Sequence, residues 1–282
     1  MRIDSHHHLW DLSRHPQEWM SGSEHDAIRR DFSMEQFREH AAGTGISKTI
    51  LVQTVMNYSE TPDLLAIAGS DSMIVGVVGF LKMDSSEAIT KLEDYQNHES
   101  AHKLVAIRDM AHFYDDDEYL EKAAVIDNCR ALGEFGFTFD LLTKTDQLKS
   151  AIKLVQSCPK TQFVLDHISK PLIAEQIVEP WATLIKELSE MSNVSCKVSG
   201  MVTEANWKRW KTSDFKPYFE VILESFTPNR LMFGSDWPVA LLSGSYSDVI
   251  NLAEELTLNF TETEKIDFWS GVAIKAYKLK DF

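Results

Sequence analysis

Histidines cluster close to the first residue of the chain, in the run DSHHH at positions 4–8. Because the side chains of a β-strand alternate between its two faces, a strand here is predicted to turn Asp4, His6 and His8 inward. Ile3 would then lie on the opposite, helix-facing side. Two imidazoles that are two residues apart at a strand end can both reach one metal ion. A histidine tag is the alternative, but a tag usually precedes the fold, whereas these histidines follow a strand-like start.

Two further ionisable side chains follow apolar runs. Asp236 comes just after the run 231–235, where a carboxylate is costly unless it is paired or functional. We therefore predict that Asp236 is a general base or a metal ligand. His167 follows the run 162–166 and would supply a third nitrogen beside the two N-terminal imidazoles. Taken alone, such a histidine is as often structural as it is a ligand.

Basic residues complete the set of candidates. Arg108 closes the run 104–108, where a guanidinium suits an oxyanion or a carboxylate, or forms a structural salt bridge. Lys170, in the motif DHISKP, either contacts a substrate carbonyl or hydroxyl or is an ordinary surface lysine. Lys197 and Asp140 are both predicted to face inward. A structural ion pair between them is the favoured interpretation.

Short apolar runs rich in β-branched residues recur at intervals of about 30 residues, the length of one strand-plus-helix unit. They lie at 2–5, 49–53, 73–80, 104–108, 137–142, 162–166, 194–199 and 231–235. Helical periodicity of apolar residues occurs between them, most clearly at 146–157, 179–191 and 248–258. Strands that alternate with helices in this number predict a single (β/α)8 (TIM) barrel domain over residues 1–282. A doubly wound open sheet is the alternative, but no glycine-rich phosphate turn follows the first strand.

Two connecting segments are longer than ordinary loops. Segment 10–31 follows the first predicted strand and contains Trp10 and Trp19, and segment 200–214 follows the seventh. Loops that follow the strands of a barrel build its active-site face. Both segments are therefore candidate walls of a substrate site.

The composition excludes several classes of protein. Of the 282 residues, 44% are hydrophobic and 25% are charged, as in soluble globular proteins. The net charge of −15 disfavours binding to nucleic acid. No apolar run approaches the length of a membrane span, and the N-terminal residues do not resemble a secretory signal. Together with three widely spaced cysteines, these features predict a cytoplasmic protein.

The candidate residues resemble those of the amidohydrolase superfamily. The pattern Asp4-x-His6-x-His8 and the motif GSDWP at 234–238 look like its amidohydrolase-2 branch. Further segments resemble the sugar-lactonase group of that branch, which includes L-fuconolactonase-like and L-rhamnonolactonase-like enzymes. They are RDF at 30–32, LVQ at 51–53, FDLL at 139–142, LDHISKP at 165–171, CKVSG at 196–200 and FGSDWP at 233–238. The likeness covers nearly the whole chain, with one departure at 271–273, where relatives tend to read Gly-Asn-Ala and this chain reads GVA.

This resemblance implies a (β/α)8 barrel that hydrolyses a small-molecule substrate, a sugar lactone or a related cyclic ester. Asp236 would be the general base, and His167 would be the second catalytic residue. The resemblance implies that four residues line the metal or carbonyl site: His6, His8, His167 and Asp236. It also implies that Arg108 and Lys170 contact the substrate. A divalent ion, with zinc as the first choice, is implied by some members of the branch, whereas lactonases can work without one. Trp10, Trp19 and Trp237 would offer flat faces to a sugar ring, with core packing as the alternative for each.

Two other functions are kept as alternatives. A metal-dependent decarboxylase of the same superfamily would act on an aromatic or unsaturated acid and release carbon dioxide. A barrel that binds a sugar acid without turnover is disfavoured, because the chain retains His6, His8, His167 and Asp236 together. Assembly of the chain into a homo-oligomer stays open.

Overall fold

Eight parallel strands form one barrel in the computed structural model, which describes residues 1–280. Each strand pairs with the next one in chain order. Backbone hydrogen bonds from His8 to the Trp237 carbonyl (2.7 Å) and from Asp236 to the His6 carbonyl (2.8 Å) join the first strand to the end of the last. The strands are β1 (Arg2–His7), β2 (Ile46–Val52), β3 (Ile74–Phe80), β4 (Leu104–Asp109), β5 (Thr138–Leu141), β6 (Gln162–Leu165), β7 (Val194–Val198) and β8 (Leu231–Phe233).

Helices connect successive strands, so the predicted (β/α)8 fold is confirmed. They are α1 (Met34–Ala41), α2 (Glu60–Ser70), α3 (Ala88–Gln96), α4 (Ala123–Glu134), α5 (Leu148–Ser157), α6 (Trp181–Ser189), α7 (Thr212–Phe226), α8 (Tyr246–Leu256), α9 (Glu262–Ile266) and α10 (Val272–Ala276). The three helical patterns in the sequence correspond to α5, α6 and α8. Within residues 1–280, no helix combines the length and the apolar character that crossing a bilayer requires.

Apolar side chains form two layers, one on each face of the strands. Outward residues such as Ile107 and Phe139 pack against the apolar faces of the surrounding helices. Inward residues such as Val78 and Met232 pack with α10, which closes the end of the barrel where the strands begin. Val272, at the position where relatives tend to read Asn, starts α10 and is only 3% exposed in this inner layer. An apolar residue therefore fits its surroundings there.

Strand β1 departs from simple alternation. Between Asp4 and His7, three residue steps of β1 pair with two steps of β2, so β1 contains one extra residue. Ile3 therefore lies in the inner apolar layer, while Asp4 faces the helices and accepts a hydrogen bond from the Tyr246 hydroxyl (3.0 Å). The predicted inward direction of Asp4 and outward direction of Ile3 are wrong, because alternation was assumed through the irregularity. Beyond this irregularity, His6 and His8 do face inward, as predicted.

Asp4→Asn is expected to change how stability depends on pH. Burial raises the pKa of Asp4 from 3.8 to about 6, so the folded protein binds a proton there more tightly than the unfolded chain does. This contribution to stability is complete below a pH of about 3.8 and is lost as the pH rises through about 6. As the pH rises across this window, the free energy of unfolding of the wild type should fall by up to about 3 kcal/mol relative to that of the Asn variant. Urea unfolding of both proteins at a series of pH values measures the difference, and a pH-independent difference would contradict the expectation.

Candidate active site

Asp236 and three imidazoles meet at the end of the barrel where the strands finish. The Asp236 Oδ1 atom lies 3.3 Å from His8 Nε2 and 3.8 Å from both His6 Nε2 and His167 Nε2. Each of these four residues is at most 5% exposed. His6 lies near the end of β1, His8 follows β1, His167 follows β6 and Asp236 follows β8, so closure of the barrel brings together residues that are far apart in the sequence.

Left-handed backbone shapes the turns that carry His167 and Asp236. The φ angle is +51° at His167 and +58° at Asp236, a conformation that residues other than glycine rarely adopt and that clusters at functional sites. Two glycines permit the close packing around these turns. A Cβ on Gly200 would lie 2.5 Å from His167 Nδ1, and a Cβ on Gly234 would lie 2.7 Å from the Cβ of His6.

Two of the imidazoles are held through Nδ1, so that Nε2 faces Asp236. His8 Nδ1 lies 2.8 Å from the carbonyl oxygen of Val52, which can only accept, so this nitrogen carries a proton. His167 Nδ1 lies 2.9 Å from the hydroxyl oxygen of Ser199. Contacts of this kind fix the plane of the ring, and they are the usual way in which metal-binding histidines are oriented.

His6 lies in a different environment. The Lys197 ammonium, which can only donate, is 3.0 Å from His6 Nδ1, so Nδ1 accepts and the ring proton lies on Nε2. His6 Nε2 then donates to His8 Nε2, 3.2 Å away. The Asp166 carboxylate is 3.4 Å from the same Nδ1 and would accept from the other tautomer, which frees Nε2 for a metal. Lys197 and Asp166 therefore favour opposite tautomers of His6.

Burial sets the protonation states in the cluster. Burial, opposed by the charge of Asp236, lowers the pKa of His167 to about 4. Burial and the Lys197 ammonium hold the pKa of His6 well below its ordinary value. Burial alone would raise the pKa of Asp236, but the neighbouring imidazoles, chiefly His167 and His8, outweigh it and lower that pKa. At neutral pH the site therefore contains the neutral imidazoles of His6 and His167 beside an ionised carboxylate.

This donor set fits a divalent metal ion. His6, His167 and Asp236 each offer one ligand atom, and these atoms lie within 4.8 Å of one another. His8 Nε2 borders the same space. Imidazole nitrogens and one carboxylate are ligands that zinc takes in catalytic sites, and neutral rings with an ionised carboxylate are the forms that bind metal. The Arg108 guanidinium, 3.4 Å from His6 Nε2, opposes a large positive charge at this point.

A cavity of about 180 Å³ opens above the cluster. Trp10 and Trp19 line it, as expected for the long segment 10–31. Its volume lies below the range of about 300–1,000 Å³ typical of drug-sized ligands, so it suits a single small ring. The lining residues are His8, Trp10, Trp19, Thr54, Arg108, Met110, His112, Phe113, Leu142, His167, Lys170, Asp236 and Val239.

Trp237 does not line this cavity, which corrects the expectation that its ring contacts the substrate. Its side chain is fully buried, and its ring centroid lies 5.2 Å from that of Phe32 and 5.5 Å from that of Phe37, both edge-on. The Asp236 side chain points toward the cavity, and the side chain of the next residue, Trp237, points into the layer between the strands and the helices. Trp237 therefore packs in the core.

Two cations line the cavity, and each has an acidic partner. Arg108 donates to Asp166 Oδ2 (2.9 Å) and to the carbonyl oxygen of Gln53 (2.5 Å). Lys170 pairs with Glu204, which comes from the long segment after β7. Arg108 and Lys170 thus border the same space as Asp236, while their neighbours hold them in place.

An ion network lies beneath the cluster, inside the barrel. Lys197 Nζ is 2.7 Å from Asp140 Oδ2 and 2.9 Å from Asp166 Oδ1, and none of the three side chains is exposed. The Tyr277 hydroxyl, just after α10, donates to Asp140 (2.8 Å). Burial raises the pKa of Asp140 to about 6, although the Lys197 ammonium opposes the shift. The predicted pair of Lys197 with Asp140 is present, and it extends to Asp166.

Sequence reasoning missed two residues of the site, His112 and Glu204. His112 lies just past the end of β4, lines the cavity and packs against Phe113 with 3.9 Å between ring centroids. Burial and the nearby Lys170 hold the pKa of His112 well below its ordinary value, so this ring is neutral. Its position just past a strand end is the signal that could have found it. No signal in the sequence pairs Glu204 with Lys170.

The chain is thus a (β/α)8 barrel with a cluster of imidazoles and one carboxylate where β1, β6 and β8 finish. The chain belongs to the Amidohydrolase family, whose match covers residues 3–279.

The relatives of this chain are consistent with that assignment. It is 29% identical over 294 residues to an L-fucono-1,5-lactonase of Burkholderia multivorans, with 100% of this chain and 97% of that protein covered. It is 30% identical over 247 residues to an L-fucono-1,5-lactonase of Burkholderia ambifaria, with 88% and 83% covered. A crystal structure of an amidohydrolase from Burkholderia multivorans with bound zinc superposes with a TM-score of 0.91 at 28% identity, covering 99% of this chain and 100% of that one.

Proposed function

We propose that the protein hydrolyses a small lactone, most simply an aldonolactone derived from a sugar, with Asp236 as the general base. The observation that carries this proposal is the position of the Asp236 carboxylate, 3.3–3.8 Å from three imidazoles at the floor of a ring-sized cavity. The similarity to two proteins named L-fucono-1,5-lactonase supports lactones as the substrate class.

The reaction proceeds by attack of water on the lactone carbonyl. Asp236 accepts a proton from the water as its oxygen bonds to the carbonyl carbon, and His167, 3.8 Å away, orients that water. Negative charge develops on the carbonyl oxygen, where the Arg108 guanidinium stabilises it. The bond from the carbonyl carbon to the ring oxygen then breaks, and the proton held by Asp236 passes to the ring oxygen. The product is an open-chain hydroxy acid.

The rest of the cavity provides contacts for a polar ring. Lys170 and His112 border the cavity and would contact ring hydroxyl groups. Trp10 and Trp19 present flat apolar faces to the C–H groups of the same ring. Binding there excludes water from Asp236 apart from the reacting molecule, which strengthens each charge interaction in the site.

A divalent ion would be held by His167, His8 and Asp236, and by His6 once its proton moves to Nδ1. Such an ion polarises a carbonyl and lowers the pKa of bound water, and zinc matches these ligands. The zinc-bound structure of the relative supports this choice. A raised pKa of Asp236 would be another route to an effective base, but the imidazoles lower that pKa.

A panel of sugar lactones with a pH indicator tests the proposed function. Lactone hydrolysis releases acid, so the expected result is acidification that depends on enzyme and on lactone. A decarboxylase would instead release carbon dioxide from an aromatic or unsaturated acid, and a binding barrel would turn over neither. Absence of acid release from the whole panel, with folding verified by circular dichroism, would overturn the proposal.

The double variant His6→Asn, His8→Asn is expected to lose any divalent metal that copurifies with the wild type. Both side chains border the position where the ligand atoms converge, and an amide is a poor substitute for imidazole nitrogen. Metal analysis of protein purified without added ion gives the stoichiometry, with the exposed His102→Asn as a control. An unchanged stoichiometry would refute the ligand assignment. Lost activity with a metal-free wild type would favour direct polarisation of the carbonyl.

Lys170→Met is expected to lower kcat/KM for a sugar lactone about tenfold, the effect of one lost hydrogen bond to a charged group. The protein should stay folded, because the side chain lies at the cavity edge and only its pair with Glu204 is broken. Steady-state kinetics measures the effect, and Lys186→Met, on the exposed face of α6, is the matched control. A kcat/KM equal to that of the wild type would show that Lys170 is a surface charge that does not contact the substrate.

A further inference from the structure

A second cavity of about 470 Å³ lies directly outside the catalytic one. The two cavities share four lining residues, so the outer one opens onto the mouth of the inner one; the shared residues are Trp19, Thr54, Met110 and Phe113. The inner cavity, at about 180 Å³, has room for little more than a small ring. A group attached to that ring and directed toward Trp19 and Phe113 therefore enters the outer cavity.

The wall of the outer cavity is mainly apolar. Met56 and Phe113 are 44% and 43% exposed, which is unusual for large apolar side chains, and both line it. Two of its polar groups already have partners: Thr54 is hydrogen-bonded to Glu60, and His15 to Asp63 (2.8 Å). Glu18 and Asn57 are exposed polar residues at the rim, and the other six lining residues are apolar: Pro16, Trp19, Val55, Met56, Met110 and Phe113.

The wall that separates the two cavities is fixed in position. Trp19 Nε1 donates to Gln17 Oε1 (2.9 Å), and Gln17 Nε2 donates to the Thr54 hydroxyl (2.6 Å). The backbone N–H of Thr54 donates in turn to the Glu60 carboxylate (2.9 Å), which is buried. The Trp19 ring therefore has no unsatisfied polar atom, and a ligand that packs on it does not have to order it first.

We propose that the outer cavity is a subsite for an apolar substituent of the lactone, an alkyl chain on the ring carbon next to the ring oxygen. This inference rests on the proposed lactone hydrolysis and narrows its substrate class. The carbonyl must reach Asp236 at the floor, so a chain on that ring carbon leaves through the mouth between Trp19 and Phe113. Each buried methylene group then increases the affinity about threefold.

The test compares δ-valerolactone with δ-lactones that carry a propyl or a pentyl chain. We expect kcat/KM to rise about threefold for each added methylene in the wild type. Met56→Glu places a charge in the apolar wall and should abolish most of this rise. Phe135→Glu is the matched control, because Phe135 is also 43% exposed but does not line either cavity, and it should keep the full rise. Calorimetry with the corresponding alkyl δ-lactams measures affinity independently of ester hydrolysis.

The outcomes separate this inference from the proposed function. Hydrolysis of sugar lactones with kcat/KM independent of alkyl chain length would overturn the subsite and leave the proposed function standing. A rise with chain length that Met56→Glu does not reduce would overturn the assignment to this cavity. Without any lactone hydrolysis, a lactam affinity that rises with chain length and falls in Met56→Glu would support the subsite alone. A lactam affinity independent of chain length would overturn it.

Discussion

Asp236→Asn is expected to lower kcat/KM for lactones by a factor of about 10²–10⁴, the usual contribution of a positioned general base. Asn keeps the volume of the side chain and one acceptor oxygen, but it cannot take a proton from water. The fold should survive, because the change removes a buried charge together with its contacts to His8 and His167. Steady-state kinetics on a sugar lactone measures the loss, and circular dichroism verifies folding.

The pH dependence distinguishes the base from a structural carboxylate. Because the imidazoles lower the pKa of Asp236, its carboxylate should stay ionised from neutral pH down through the ordinary carboxyl range. Within that range the wild-type kcat/KM should fall only as His167, whose pKa is about 4, becomes protonated, and protonation of Asp236 should lower it further below that range. Asp127→Asn, an exposed change on α4, is the control for loss of a carboxylate as such. A folded Asp236→Asn protein whose kcat/KM is within a few-fold of the wild-type value would show that Asp236 is not the base, while leaving the (β/α)8 fold unaffected.

The fold could be predicted because buried parallel strands leave a local mark in the sequence. Each run of apolar residues is short and followed by polar or glycine residues, as in β8, where Phe233 precedes the GSDWP motif. The end of each strand marks the active-site face, which is why His167 and Asp236 could be singled out. The extra residue of β1 could not be predicted, because an irregularity within six residues changes the direction of a side chain without changing the apolar pattern.

Contacts across the barrel could be predicted only where alternation alone decides them. Lys197 and Asp140 were expected inside because helices cover the outer faces of their strands. The partners of Lys170 and Arg108 could not be predicted. They depend on how a long loop folds and on the register of strands that are distant in the sequence. Trp237 illustrates the same limit: its type suits a sugar-binding site, but the direction of its side chain depends on the turn at Asp236.

The ion network beneath the site has a role that follows from its burial. Lys197 neutralises part of the charge of Asp140 and Asp166, and the same ammonium lies 3.0 Å from His6 Nδ1. A buried pair of this kind adds little net stability over apolar packing, yet it is costly to break because one charge stays behind without a partner. The network therefore links the buried charges inside the barrel to the His6 ring by direct contact.

Lys197→Met is expected to lower the free energy of unfolding by about 3–5 kcal/mol at neutral pH. Met fills a similar volume but leaves Asp140 with only the Tyr277 hydroxyl, while Asp166 keeps Arg108. The loss should shrink at acid pH, because Asp140, whose pKa is already raised to about 6, can take a proton and shed its unpaired charge. Urea unfolding at pH values on either side of that pKa measures both effects.

The double variant Lys197→Met, Asp140→Asn identifies the cause of the loss. It removes the uncompensated carboxylate as well as the ammonium, so it should regain much of the stability that the single variant loses. Lys265→Met, which breaks an exposed pair with Glu262 on α9, should leave the free energy of unfolding nearly unchanged. A double variant no more stable than Lys197→Met would mean that lost packing, and not an unpaired buried charge, causes the destabilisation.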